Sequence, residues 1–379
     1  MKIKNRLAIY TAALSLALMI STDALAQKVV IGNYVFPRDG GTYYGELFAG
    51  KPHGKGKTTF KNGDTYVGEY SKGKRQGKGI YTFTDGEKYE GQWFDDHQHG
   101  LGTYYFANNN RYEGLWNVDY QEGKGTMYYY NGDKYVGEWK QDKREGEGTY
   151  TWANGISYRG QWMGDQKHGK GLFDWRDGST YFGDWANDQR TGQGTYNYAN
   201  GDRYEGQWKN NMMDGRGIYT FHNGDRYEGD YSAGERTGQG IFIFADKRKY
   251  VGQFRNGLMS GYGTYTWPDG SKYEGYWADD KQNGRGKYTS ADGDLYDGEW
   301  LSGEMNGEGV LRMKDGTKFK GRFKDGLRNG KCVEESPDGI RFEGSYVNDL
   351  RDGAFVEKDR TGKTIRKGYY KRGKIETEQ

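Results

Sequence analysis

GKPHGKGKTTF, residues 50–60, contains the run GKGKT, which looks like the end of a phosphate-binding loop. Such a loop needs Gly, four residues and then Gly-Lys-Ser/Thr, so that backbone amides wrap the phosphates. Counting back from Gly56-Lys57-Thr58 puts Lys51 where the first glycine must stand, and Gly50 lies one residue too far away. No apolar strand run leads into the segment. The same pattern returns 23 residues later as GKRQGKGIYTF, residues 73–83, without the Lys-Thr pair. A feature that recurs along a chain is architecture rather than one catalytic loop. The glycines belong to a repeat.

Aligned on Y-x-G-x-W, the frame returns every 23 residues from Tyr43 to Phe342 without an insertion, in fourteen copies. The third and twelfth positions are glycine in every copy, as in Tyr66, Gly68 and Gly77, or Tyr89, Gly91, Trp93 and Gly100. The fifth is Trp, Tyr or Phe everywhere but the first copy, where Leu47 stands. Tyr112, Gly114 and Trp116 continue the pattern, and Trp139, Trp162, Trp185 and Trp208 extend the tryptophan row. In YEGQW (89–93) alternation puts Tyr89, Gly91 and Trp93 on one face of a strand. In GLGTYYF (100–106) it does the same for Gly102, Tyr104 and Phe106. Each copy reads as a β-hairpin, with FDDHQH (94–99) as its polar loop. The eighth position is always Gly, Asp or Asn (Gly73, Asp96, Asn211), the types that tolerate φ > 0. Asn-Gly or Asp-Gly precedes most copies (Asn62-Gly63, Asp85-Gly86, Asn223-Gly224), which predicts two-residue type I′ turns. Asn108-Asn109 and Asp246-Lys247 depart from this, and Lys247 would carry some strain there.

Hairpins of this kind make a single-layer sheet, with burial supplied by each aromatic ring against its counterpart in the next copy and over glycine backbone. With strands about 4.8 Å apart, fourteen copies would span roughly 130 Å before twist. Stability then sums nearest-neighbour terms. The Y-x-G-x-W … G-x-G unit resembles the MORN (membrane occupation and recognition nexus) repeat, over residues 43–364. The resemblance implies an all-β fold: an elongated, solenoid-like antiparallel sheet of stacked hairpins. It also implies binding or scaffolding, as in junctophilins that tether membranes, accessory repeats of plant phosphatidylinositol-phosphate kinases, and cytoskeletal assembly factors. Terminal copies deviate: the fourteenth position is Gly until Cys332 and Phe355, and the eighteenth loses its aromatic from Ser290 on. Such changes suit capping or dimerisation. VVIGNYVFPRDGG (29–41) reads as a leading half-repeat within 27–42, and 365–379 as a degenerate basic tail.

MKIKNRLAIYTAALSLALMISTDALAQ opens the chain with a basic stretch, an apolar run from Leu7 to Ile20, and Ala24-Leu25-Ala26 before Gln27. That is a bacterial signal peptide (1–26) with cleavage between Ala26 and Gln27, and so export to the periplasm or beyond. The mature chain keeps one cysteine, Cys332, so no internal disulfide forms; a buried thiol and an intermolecular bridge are the two readings. Net charge is only +3 over the whole sequence, and the leader carries more cations than anions, so nucleic acid is not a partner.

Gly is 64 of 379 residues and mean hydropathy is −1.11, too poor for a thick core, while regularly placed aromatics argue against disorder. Asp95, Asp96, His97 and His99 form a loop cluster read as an exposed turn rather than a metal site, because no other copy repeats it. No nucleophile or metal motif appears, so neither catalytic residue, metal, cofactor nor small-molecule substrate is expected. The leading function is a scaffold engaging a protein partner or a second copy. KDGTKFKGRFKDGLRNGK (314–331) offers Lys318, Lys320, Arg322, Lys324 and Arg328 to an anionic membrane, each worth about 1 kcal/mol near such a surface. A third reading is glycan stacking along the aromatic rows.

Overall fold

The computed structural model describes residues 28–38 and 40–379. The leader and its cleavage site at Ala26–Gln27 lie outside the described residues. Two compact units form: one holds the described residues up to Ala107 with Asn117–Asp119, the other Asn108–Trp116 with Tyr120–Gln379. Among the described residues there are strands and turns and no helix. In the first unit Val30–Val35, Thr42–Phe48, Lys51–Thr59, Thr65–Ser71, Lys74–Thr82, Lys88–Phe94 and His97–Tyr105 pair successively, each antiparallel to the next. In the second unit the same succession runs from Tyr120–Tyr128 to Lys374–Glu378.

Two turn types alternate, and they differ from expectation. Seventh and eighth positions both take positive φ, as at Asp95 (51°) and Asp96 (73°) or Asp279 (48°) and Asp280 (64°). This is the type I′ turn, and it occurs here rather than at Asn-Gly. The loop expected over 94–99 is therefore only Asp95-Asp96, and His97–Tyr105 is strand. At Asn62-Gly63 only Gly63 has positive φ (91°); its amide donates to the Phe60 carbonyl at 3.0 Å, and the Phe60 amide to the Asp64 carbonyl at 2.9 Å. That is a three-residue loop, a type I turn closed by a glycine bulge. Asn-Gly suits both, and the extra residue before the dipeptide decides between them. Lys247 takes the glycine position at φ 74°.

The ring of each first-position tyrosine lies across the paired glycines of its own hairpin. Gly137 faces Gly148 in the register, and a Cβ on Gly148 would lie 2.6 Å from the Tyr135 ring carbons. The hydroxyl then donates to the fourth-position carbonyl, 3.1 Å from Tyr135 to Glu138 and 2.8 Å from Tyr89 to Gln92. Contact is ring to ring both within a copy and with the next: Tyr135 sits edge-on to its own Trp139 at 5.2 Å and to Trp162 of the next copy at 5.4 Å. Trp162 also donates its indole N–H to the Gly148 carbonyl at 3.2 Å. These edge-to-face contacts add roughly 1 kcal/mol each beyond area. Tyr66, Tyr89, Tyr112 and Tyr135 are fully buried, and the Trp93, Trp116, Trp139, Trp162, Trp185 and Trp208 row nearly so.

Both rims of the stack are clamped by carboxylates. On one rim the eighth-position side chain accepts from the tenth-position amide of the preceding copy, as Asp142 from Gln121 (2.8 Å) and Asp165 from Arg144 (3.0 Å). On the other, an acid at position twenty-two reaches the next copy: Asp133 accepts from the Tyr150 hydroxyl (2.6 Å) and the Ala153 amide (2.8 Å).

Residues 365–379, expected as a tail, lie in a further hairpin. Thr364–Lys371 and Lys374–Glu378 pair across Arg372-Gly373, whose φ values of 47° and 80° reproduce the tight turn. The first of these strands also pairs with Gly353–Lys358.

Candidate binding surfaces

Each unit presents an aromatic face and a groove face. On the aromatic face the first- and fifth-position rings are buried, with less than a tenth of any of them exposed. Arg75 lies 4.3 Å over Trp93, and Arg144 4.3 Å over Trp162, so even the indole planes are covered. A sugar cannot stack on Trp93 or on the tryptophans that continue its row, which confines a glycan reading to the half-buried second column. Burial pushes the Tyr43 hydroxyl up to about 12, with Glu46 adding to the shift. A second column, of sixteenth and eighteenth positions, is half-buried and packs against itself, as Trp175 does on Phe173 (4.4 Å) and on Tyr196 (5.1 Å).

The groove face has the glycine backbones as its floor. In the first unit a groove of about 890 Å³ runs over Gly45, Gly56, Gly68, Gly79 and Gly91. Ile31, Tyr44, Val67, Ile80 and Leu101 line it and stand exposed, Ile31 at 70% and Leu101 at 64%. Glu46, Lys55, Lys57, Glu69, Lys78 and Glu90 flank them with alternating charge. In the second unit Ile218, Ile241 and Val251 line a groove of about 400 Å³ on the same face. The tyrosine rings cover the glycines from the other side, so this face is left to the second, fourth, thirteenth and fifteenth positions. Gly77 and Gly100, twelfth in their copies, take positive φ (67° and 62°) at the bulge opposite these positions. The Gln92 side chain accepts there from the Leu101 amide at 3.0 Å.

The basic segment divides between the two faces. Lys318, Lys320, Arg322 and Lys324 alternate onto the groove face of one strand. Arg322 is paired with Glu308 (3.0 Å) and Lys318 lies 4.0 Å from Glu335. Arg328 belongs to the other face, bonded to Asp349 (2.9 Å) and Glu334 (3.4 Å) and lying over the Tyr346 ring. It is a structural cation, because tenth-position side chains point toward the rings. The residues of the 95–99 stretch serve separate partners: Asp95 pairs with Lys74, Asp96 with Arg75, and His97 Nδ1 meets Asp119 at 2.6 Å. Among the described residues no three metal-ligating side chains converge.

Cys332 is buried, and its thiol is pushed up to about 11 by burial, with Glu334 adding. A shielded, protonated thiol is a poor disulfide partner. The clamps at positions eight, ten and twenty-two went unread in the sequence except as turn formers. Their signal was there: Asp64, Asp133, Asp202, Asp225 and Asp294 recur one residue after the bulge position.

The MORN repeat model matches thirteen segments, from 43–65 to 319–341. The chain belongs to the MORN repeat family. The copy at 342–364, with Phe355 at its fourteenth position, is not among the matched segments. No curated protein matches the chain. Among solved structures it is similar to the TCP10 domain of Danio rerio CPAP, at 16% identity and TM-score 0.32, covering 55% of this chain and 98% of that one. It is also similar to the TCP domain of Drosophila melanogaster SAS-4, solved with a proline-rich motif of Ana2, at 15% identity and TM-score 0.28, covering 41% and 84%. Likeness at this level says nothing about partners.

Proposed function

We propose that this MORN protein is a non-catalytic scaffold that binds a protein through its groove face, in the cell envelope to which its leader directs it. The observation that carries the reading is the groove of the first unit, where exposed Ile31, Tyr44, Val67, Ile80 and Leu101 line a glycine floor flanked by charges of both signs. Apolar patches of this kind, rimmed by polar residues, mark interaction sites. The absence of catalysis is supported by the scattering of the histidines, with His97 held by Asp119 and His222 by Asp202.

The test is cross-linking from the full-length chain in cells, compared between the unaltered protein and Ile80→Arg/Leu101→Arg. A partner held by the unaltered chain and lost from the variant, at equal expression and equal circular dichroism, is the expected result. Capture that ignores both substitutions would move the site away from this face.

A further inference from the structure

One strand of the first unit is unlike the rest. VVIGNYV, residues 29–35, has four β-branched residues and a tyrosine, with no charge and no proline. The strand Val30–Val35 is bonded on one side to Thr42–Phe48, and among the described residues of its unit nothing pairs with its other side. Val29, Val30, Ile31 and Val35 are 48–70% exposed. An uncharged, β-branched edge is a template for another strand, and proteins usually blunt such edges with charge or proline. The last strand of the chain, KIETE (374–378), has that charge. The Phe36 amide donates inward, to the Gly41 carbonyl at 2.9 Å. By alternation the amides and carbonyls of Ile31, Asn33 and Val35 point outward.

We infer that Val30–Val35 pairs with the same strand of a second copy, antiparallel about a two-fold axis through Asn33. The inference rests on the binding reading above and names the chain itself as one partner. A two-fold axis normal to the sheet keeps each face on its own side, so opposed residues share a face. Centring on Asn33 sets Ile31 against Val35, twice, on the groove face. It also satisfies every outward amide and carbonyl of Ile31, Asn33 and Val35. Centring on Gly32 would set Ile31 against Asn33 and leave Val35 without a partner inside the strand. Because the groove begins at Ile31, the pairing carries its apolar lining into the second copy.

Sedimentation equilibrium on the protein expressed from its full-length sequence tests this. The unaltered chain runs as a dimer. Asn33→Pro, which deletes an outward amide, and Ile31→Lys, which sets a cation on the edge, both run as monomers with unchanged circular dichroism. Asn33→Cys places two thiols on the axis, where Cα atoms of a bonded pair are about 5.5 Å apart and within disulfide reach. Mild oxidation then gives a covalent dimer on a denaturing gel, whereas the unaltered chain, with Cys332 buried, does not. A monomeric unaltered chain overturns the inference, and so does a dimer that survives both Asn33→Pro and Ile31→Lys. Neither result touches the groove reading, which fails only if partner capture ignores Ile80→Arg/Leu101→Arg.

Discussion

The hairpin at 135–151 and the hairpin at 319–335 occupy the same frame with different chemistry. In the first, the Tyr135 hydroxyl reaches over Gly148 to the Glu138 carbonyl, and Arg144 lies 5.3 Å over Tyr150 and 4.3 Å over Trp162. In the second, Phe319 has no hydroxyl, and Cys332 stands in place of the glycine. Glu334 replaces the sixteenth-position ring, and Arg328 bonds to it at 3.4 Å. One copy further on, Phe355 fills the glycine position and stacks on Phe342 at 5.8 Å. Arg351 there bridges Glu334 (2.8 Å) and Glu357 (3.5 Å), and Arg366 makes two bonds to Glu357, at 2.9 and 3.0 Å. Two lessons follow. The tyrosine hydroxyl and the fourteenth-position hydrogen share one volume, so they change together. Arg144 and Arg328 hold the same tenth position in the two hairpins, because a guanidinium serves a ring face and a carboxylate equally well.

The first lesson breaks most easily at Gly148. Gly148→Cys pushes a side chain into the Tyr135 ring and is expected to cost about 3 kcal/mol, the upper range for overpacking. Tyr135→Phe alone loses one hydrogen bond, about 1 kcal/mol. The double variant, which reproduces the Phe319–Cys332 pair, should be more stable than Gly148→Cys alone. Urea denaturation of all three variants measures this, with hydrogen exchange locating the loss. A neutral Gly148→Cys would end the shared-volume argument.

Glu334→Gln addresses the second lesson. It leaves Arg328 and Arg351 half-buried beside an uncharged group, and breaking a buried pair costs 3–5 kcal/mol. With 17% of the Glu334 side chain exposed, solvent screening reduces the expectation to about 2 kcal/mol. Faster amide exchange should appear over 327–358 and leave 143–174 unchanged. Equal loss in both regions would mean that the ion ladder supports the whole unit rather than its end.

How much of this was legible follows from which contacts are periodic. Tyr135, Gly137 and Trp139 recur at fixed spacing, so the hairpin and its buried face could be read from alternation alone. The turn assignment failed because Asn-Gly serves two- and three-residue loops alike. Arg328 was misplaced in a basic patch because charge density along the sequence ignores the face on which a residue lands. The hairpin at 364–378 was missed because its frame slips by one residue at Gly368, although Arg372-Gly373 marks its turn. The groove was not foreseen at all: its lining positions vary freely in the repeat, and only the structure sets Ile31 beside Val67 and Leu101.

Acid separates the two regions more gently. Asp202 is buried, which works against its ionisation, yet the His222 amide and ring, the Tyr219 hydroxyl and Asn200 hold its carboxyl well below the usual range. Such a depressed group contributes stability that is fully present above the unfolded-state value, about 3.9, and is lost as pH falls through the lower folded value. Asp202→Asn removes the charge and keeps the shape, so the gap from the unaltered chain should be about 1–2 kcal/mol at neutral pH. It should narrow below about pH 4 and close in stronger acid. In the last three copies the corresponding residues are Thr317, Ile340 and Lys363, none of which can lose such a bond. Hydrogen exchange on the unaltered chain near pH 3 should show the turn amides at Ala153 and His222, which donate to these carboxylates, losing protection before the strand amides at 143–151 and 212–220. Simultaneous loss would mean that the position-twenty-two carboxylates are not what binds one copy's turn to the next.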